Sequence, residues 1–215
     1  MALPLGPIMP PAALLVLGTA NRKKALELRE LLEPLGFHIK TLADYPHALS
    51  VEETGDSFAA NAALKAAGQA RHLDAWVLGE DSGLVVDVLG GAPGIYSARY
   101  AGPHATDDQN NHCLLAELVD VPHARRTAHF VCHWALSDPS GTIRAEGSGR
   151  CTGRIRFEPA GTAGFGYDPL FEIVEYHRTF GELGQSVKLV LSHRARAVEK
   201  LVPRLIELRD SGPWV

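Results

Sequence analysis

Lysines, carboxylates and small polar side chains cluster in this sequence in short groups between apolar runs. These are the residue types that phosphate and divalent-cation chemistry uses. The group Thr19-Ala20-Asn21-Arg22-Lys23-Lys24 follows the apolar run Ala13–Leu17 and precedes a segment of helical periodicity. N–H groups at a helix start lack intrahelical partners and have the positive dipole end behind them, which makes an anion site. Thr19 and Asn21 add hydrogen bonds there and Lys24 adds a charge. A plainer reading fits the same residues: Thr19 or Asn21 caps the helix and the lysines are solvated. The glycine pattern of a Walker A loop is absent.

Phe58, Asn61, Ala62 and Lys65 are spaced i, i+3, i+4, i+7, so on a helix they share a face. A lysine on such a face either snorkels or meets an anion. Glu52 and Glu53 stand just before that helix; they form either half of a metal–phosphate site or an ordinary acidic first turn. Glu80-Asp81-Ser82-Gly83 follows a second apolar run. Adjacent carboxylates beside buried chain are costly unless solvated, paired or metal-bound. Magnesium takes oxygen ligands from one or two carboxylates plus substrate phosphates, and Glu53 and Asp81 are suited to that. Glu80 is then a third carboxylate able to tune or share the proton load. Asp-Ser-Gly is also common turn chemistry, and a plain turn explains it as well.

The elements that must position these groups read as follows. Ala13–Leu17 suits a strand buried on both faces. A helix follows to Leu32, ended by Pro34 and Gly36. A second helix is predicted from about Ser57 to His72, then a strand at Trp76–Leu78, a turn at Gly79–Gly83 and another strand at Leu84–Leu89. Thr106 and Gln109 form a capping-box pattern opening a helix through Leu118. Strands are predicted at Thr127–Leu136 and Thr142–Ile155, paired through the Asp138–Gly141 turn, with a glycine-rich loop from Gly161 to Phe171. The last helix starts near Ser192. Pro203 lies inside it, and because an interior proline costs about 3 kcal/mol a kink or break is expected. Interleaved strands and helices with one antiparallel pair predict an α/β fold on a mixed sheet.

The chain has 215 residues, 46% of them hydrophobic, enough for one domain at residues 13–212. Residues 1–12, apolar and proline-rich without a basic start, read as a disordered extension or the result of a displaced start codon, not a signal peptide. A net charge of −4 argues against a nucleic-acid backbone binder and leaves small nucleotides open, held by a local cluster of donors. Three cysteines without CxxC spacing point to buried thiols in a reducing, cytoplasmic setting. No apolar run approaches the 18 or so residues that a membrane span needs.

In order along the chain, Thr19-x-Asn21-x-x-Lys24, Glu52–Phe58 with Asn61-Ala62 and Lys65, Glu80–Leu84, Gly91–Tyr100, Gly164–Pro169, Lys188 and Ser192-His193-Arg194 resemble the inosine triphosphate pyrophosphatase family, also described as dITP/XTP pyrophosphatases. The likeness runs from about Leu14 to Leu208. It implies an elongated mixed sheet flanked by helices, two lobes around a nucleotide cleft, a homodimer, and hydrolysis of deaminated purine triphosphates to monophosphate and pyrophosphate with Mg2+. By that resemblance, the loop of Thr19, Ala20, Asn21, Arg22, Lys23 and Lys24 holds phosphates, with Lys65 beside it. Glu53 and Asp81 position magnesium, Asp81 accepts the water's proton, and Ser82 touches the substrate. Phe165, Gly166, Tyr167 and Asp168 with Lys188, His193 and Arg194 form the base and sugar side. Ala20, Lys23, Glu80, Gly184–Val187 and Ala195 depart from the family's commonest pattern without removing a catalytic group.

Arg194 is always a donor and suits the C6 oxygen of inosine or xanthosine rather than the amino group of adenine. Phe165 or Tyr167 either stacks on the base or packs in the core. His129, Cys132 and His133 do not converge as metal ligands, because on a strand Cys132 points away from the two histidines. Tyr96-Ser97-Ala98-Arg99 lacks the nucleophile elbow of a serine hydrolase. The rival readings are a nucleotide sensor without turnover, which would not need Glu53 and Asp81 together, and a sister pyrophosphatase for modified pyrimidine triphosphates.

Overall fold

The computed structural model describes residues 13–212 and 214; the extension expected at 1–12 lies outside the described residues. Among the described residues, seven strands form one sheet in the order β2-β1-β3-β4-β5-β6-β7. Strand β1 (Leu14–Leu17) pairs parallel with β2 (His38–Thr41) and with β3 (Val77–Val86). All further pairs are antiparallel: β3 with β4 (Thr127–Ser137), then β5 (Ile143–Ile155), β6 (Phe171–Ile173) and β7 (Arg178–Thr179). The sheet is mixed and the fold α/β, as the interleaved pattern predicts.

Helix α1 (Arg22–Leu32) is capped by Asn21 and α2 (Phe58–Leu73) by Ser57. Helix α3 (Asp107–Glu117) opens with the Thr106–Gln109 capping box. Two short helices, α4 (Phe180–Leu183) and α5 (Gln185–Leu191), precede α6 (His193–Asp210). The expected break at Pro203 does not occur. Pro203 is exposed, so the carbonyl it leaves unpaired faces water, and Val198, Leu201, Leu205 and Leu208 bury the helix on either side of it.

The predicted turn at Gly79–Gly83 is instead the middle of one ten-residue strand, β3. All ten residues pair in register with β4, from Val77 opposite Ser137 to Val86 opposite Ala128. That ladder overrides the local turn preference of Asp-Ser-Gly. Alternation then sorts the side chains. Leu78, Glu80, Ser82, Leu84 and Val86 share one face, and Gly79, Asp81 and Gly83 the other.

Two apolar clusters meet this first face. One gathers Leu17, Leu28, Leu78, Trp134 and Leu201; the other gathers Leu84, Val86, Leu114, Phe130 and Phe171. Glu80 and Ser82 fall in the polar gap between them. On the second face α2 lies so close that a Cβ at Gly79 would stand 2.3 Å from the Ala62 carbonyl oxygen. Helix α6 likewise presses on β5, where a Cβ at Gly149 would stand 2.2 Å from the carbonyl oxygen of His193. These two approaches set Lys65 and Arg194 against opposite faces of β3.

Candidate active site

Two hollows open beside β3. Asn21, Lys24, Ser82, Phe165, Lys188 and Arg194 are among the residues lining the first. Thr19, Ala20, Glu53, Lys65, Gln69 and Asp81 are among those lining the second. Asn21, Lys24, Ser82 and Ala98 line both, so the hollows are two ends of one cleft.

The second hollow joins the start of α1 to the carboxylates. Asn21 Oδ1 accepts N–H groups from Lys23 at 3.0 Å and Lys24 at 3.2 Å, so the capping reading of Asn21 holds while the residue also lines the cleft. Asp81 lies between Lys65, whose Nζ donates to Oδ1 at 3.0 Å, and Asn61, whose amide donates to Oδ2 at 3.3 Å. Lys65 also pairs with Glu53 at 3.3 Å, so it does not simply snorkel. Asn61 Oδ1 in turn accepts the Gly55 N–H at 2.9 Å, tying the segment that carries Glu53 to Asp81.

Burial pushes the Asp81 carboxyl above its ordinary value, against the pull of Lys65 and Lys24, and Glu53 adds to the rise. Burial opposes the charge on Lys65, but Asp81, Glu80 and Glu53 outweigh it and raise its pKa. An acidic pocket thus holds protons more tightly on both partners.

Glu80 does not join this group. It is fully buried on the other face of β3, 3.3 Å from Lys24 Nζ and 3.3 Å from Arg194 Nε. Burial opposes its ionisation, but Lys24, Arg194 and Lys65 outweigh that and hold its carboxyl far below the usual range. The expected sharing of a proton with Asp81 is therefore replaced by a charge-pairing role, because strand alternation sends the two side chains apart.

The first hollow is flanked by a buried ionic chain. Arg194 donates to Glu27 at 2.8 Å and to Ser82 Oγ at 2.8 Å. Lys188 donates to Glu27 at 2.6 Å and to Asp168 at 2.7 Å. The Phe165 ring sits 4.6 Å from Lys188 Nζ and 5.4 Å from the Arg194 guanidinium carbon, within reach of cation–π attraction. Asp168 also accepts the Phe165 N–H at 2.8 Å, and Gly166 N–H donates to Asp107 at 3.0 Å. Tyr167 is buried in the second apolar cluster with its hydroxyl donating to the Ser97 carbonyl at 2.8 Å, and it also lines the first hollow. His193 lies stacked on Phe130 at 4.7 Å. Burial, helped by Arg194 and Lys188, pulls its pKa well below the ordinary imidazole value.

The cleft thus gathers most of the expected residues. Glu80, Arg22 and Lys23 are the exceptions, lining neither hollow: Glu80 is buried behind the wall, while Arg22 and Lys23 are exposed and Lys23 pairs with Asp107 at 2.9 Å. The helix turn that aims Lys24 inward points its two predecessors outward. Glu27 and Gln69 were not singled out from the sequence. Glu27 stands three residues after Lys24 beside the buried Leu28, and Gln69 continues the Asn61–Lys65 stripe by one more turn; both signals were present. His129 and His133 share the Asp81 face while Cys132 faces Glu80 at 3.6 Å, as strand alternation predicts. Among the described residues no three His, Cys, Asp or Glu side chains converge as a metal cage.

The Ham1 family model matches residues 15–204. A dITP/XTP pyrophosphatase of Rhodopirellula baltica is 56% identical over 198 residues, covering 92% of this chain and 95% of the relative. The structure of a HAM1 protein from Coxiella burnetii superposes with a TM-score of 0.82 at 36% identity, over 90% of this chain and 98% of that one. That of a nucleoside-triphosphatase described as dITP/XTP pyrophosphatase from Mycobacterium abscessus gives 0.72 at 41% identity, over 89% and 99%. With the ordered motifs, the same sheet and identities of this size along nearly the whole chain, this protein belongs to the Ham1 family.

Proposed function

We propose that this protein hydrolyses deaminated purine nucleoside triphosphates, those of inosine, deoxyinosine and xanthosine, to the monophosphate and pyrophosphate. One observation carries the reading. An Asp81–Lys65–Glu53 group, buried at Asp81 and partly exposed at Lys65 and Glu53, and a buried Arg194–Lys188 pair with an aromatic ring stand at the two ends of one cleft, and Lys24 lines both. The relatives' description as dITP/XTP pyrophosphatases supports the same substrates.

Glu53 and Asp81 offer two hard oxygen donors bridged by one lysine, and among the described residues no closed cage surrounds them. That donor set fits magnesium, which keeps waters and completes its shell with substrate phosphates. Glu53 and Asp81 would hold it, and when bound it supplies positive charge to the phosphate oxygens. Asp81 takes a proton from the attacking water, whose oxygen bonds to the α-phosphorus as the bond to pyrophosphate breaks. Lys24 and Lys65 stabilise the charge that builds on the phosphoryl oxygens. Thr19, Ala20 and Asn21 line the phosphate end beside them.

At the base end, Arg194 spends one N–H of each terminal nitrogen on Glu27 and Ser82, leaving one N–H on each for the substrate. A C6 oxygen accepts such a donor, whereas the amino group of adenine opposes it. The protein is proposed to work in the cytoplasm as a homodimer; among the described residues no helix is long and apolar enough to cross a membrane. Pyrophosphate release from inosine, xanthosine, guanosine, adenosine and deoxyuridine triphosphates, with and without magnesium, tests the reading. Preference for deoxyuridine triphosphate would favour the pyrimidine alternative, and binding without release would make the protein a sensor.

A further inference from the structure

Six buried or largely buried charges alternate in sign through the wall between the two ends of the cleft. In order they are Lys24, Glu80, Arg194, Glu27, Lys188 and Asp168, joined by contacts of 3.3, 3.3, 2.8, 2.6 and 2.7 Å. Three acids balance three bases. Such a chain is costly to bury, and well-packed apolar residues of similar volume stabilise a fold as well or better. Its position, running from the phosphate end to the base end, offers a reason for it.

The contacts are not uniform. Glu27 and Asp168 hold Lys188 and Arg194 by short hydrogen bonds. Glu80 holds its two cations only as ion pairs: among the described residues its Oε2 and the Arg194 Nε are buried without a hydrogen-bond partner. Glu80 is therefore the slack joint of the chain, and its two neighbours are the arginine at the base end and the lysine that lines both hollows.

The geometry points to Glu80 as a positioning residue that couples recognition of the base to the grip on the phosphates. This rests on the function proposed above and deepens it. A base oxygen that fixes Arg194 also fixes the shared carboxylate, and with it Lys24. A ligand at the other end then has less freedom left to remove, so each ligand tightens the other. A base that leaves Arg194 unengaged leaves Lys24 loose, and discrimination appears in kcat as well as in KM.

Calorimetric titration of inosine and of pyrophosphate, each alone and each in the presence of the other with magnesium, reads the coupling directly. In the wild type each ligand is expected to tighten the other about tenfold, within the usual range of such couplings. In Glu80→Gln the enhancement falls below about twofold while pyrophosphate still binds. Glu80→Asp keeps the buried charge while withdrawing it by one methylene; it serves if the glutamine variant does not fold, and its enhancement is intermediate. Independent binding in the wild type, or undiminished coupling in the variants, overturns the proposal. A wild type that hydrolyses inosine triphosphate but shows no coupling sinks this inference alone. One that hydrolyses none of the triphosphates sinks the function reading instead.

Discussion

Glu80 and Asp81 are adjacent in the chain, yet their carboxylates serve opposite faces of the sheet: Asp81 meets Lys65 at 3.0 Å and Glu80 meets Arg194 at 3.3 Å. One strand thus feeds the reacting end of the cleft with one residue and the wall behind its base end with the next.

Replacing Asp81 by Asn keeps the side chain's shape and a hydrogen bond to Lys65 or Asn61 while removing the proposed proton acceptor. The variant should melt near the wild type and lose about two to four orders of magnitude in kcat. Pyrophosphate release at saturating magnesium measures this, and near-normal turnover would remove Asp81 from the role.

Arg194→Ala should act twice. It leaves Glu27 and Glu80 buried without their shared cation, a loss of about 3–5 kcal/mol. It should also raise KM for inosine triphosphate and narrow the gap to ATP. Urea melts and a two-substrate comparison separate the effects, and an unchanged preference would assign base reading to another group.

Glu80→Gln carries a pH signature. The folded-state pKa of Glu80 lies below its unfolded value, because Lys24, Arg194 and Lys65 outweigh burial. Its stabilisation is therefore complete above the ordinary glutamate value of about 4.3 and is lost as pH falls toward the folded value. The stability gap between wild type and variant should be about 3–5 kcal/mol at neutral pH. Below about pH 4 it should shrink by about 1.4 kcal/mol per pH unit. Urea melts at neutral pH and near pH 3 measure it; a gap that stays constant contradicts the ion pairing.

Gly79→Ala places a Cβ against the backbone of α2 at Ala62 and Ala66, neither of which is a flexible chain end. The helix must back away, carrying Asn61 and Lys65 from Asp81. Overpacking of this kind costs about 1–3 kcal/mol, and activity should fall more than stability does. Thermal melts beside turnover test it, and full activity would mean the helix can shift without disturbing the site.

Local rules made much of the molecule legible. The caps at Asn21 and Thr106, the helical stripe through Asn61 and Lys65, and the alternation that parts Cys132 from His129 and His133 all follow from residues a few positions apart. The ordered motifs added the family, and with it most of the cleft. Short segments such as β2, β6, β7, α4 and α5 were not legible, because two to seven residues carry no period and are held by partners distant in the chain.

Tertiary structure alone decided the acidic stretch. Read locally, Glu80-Asp81-Ser82-Gly83 is a turn with two interchangeable carboxylates. Paired along β4 it is a strand, and a period of two gives each carboxylate its own face, its own cations and its own task. Neither the partner strand nor Glu27, which meets Arg194 across 167 residues, can be read from neighbours in sequence, because burial and charge pairing are properties of what the folded chain brings together.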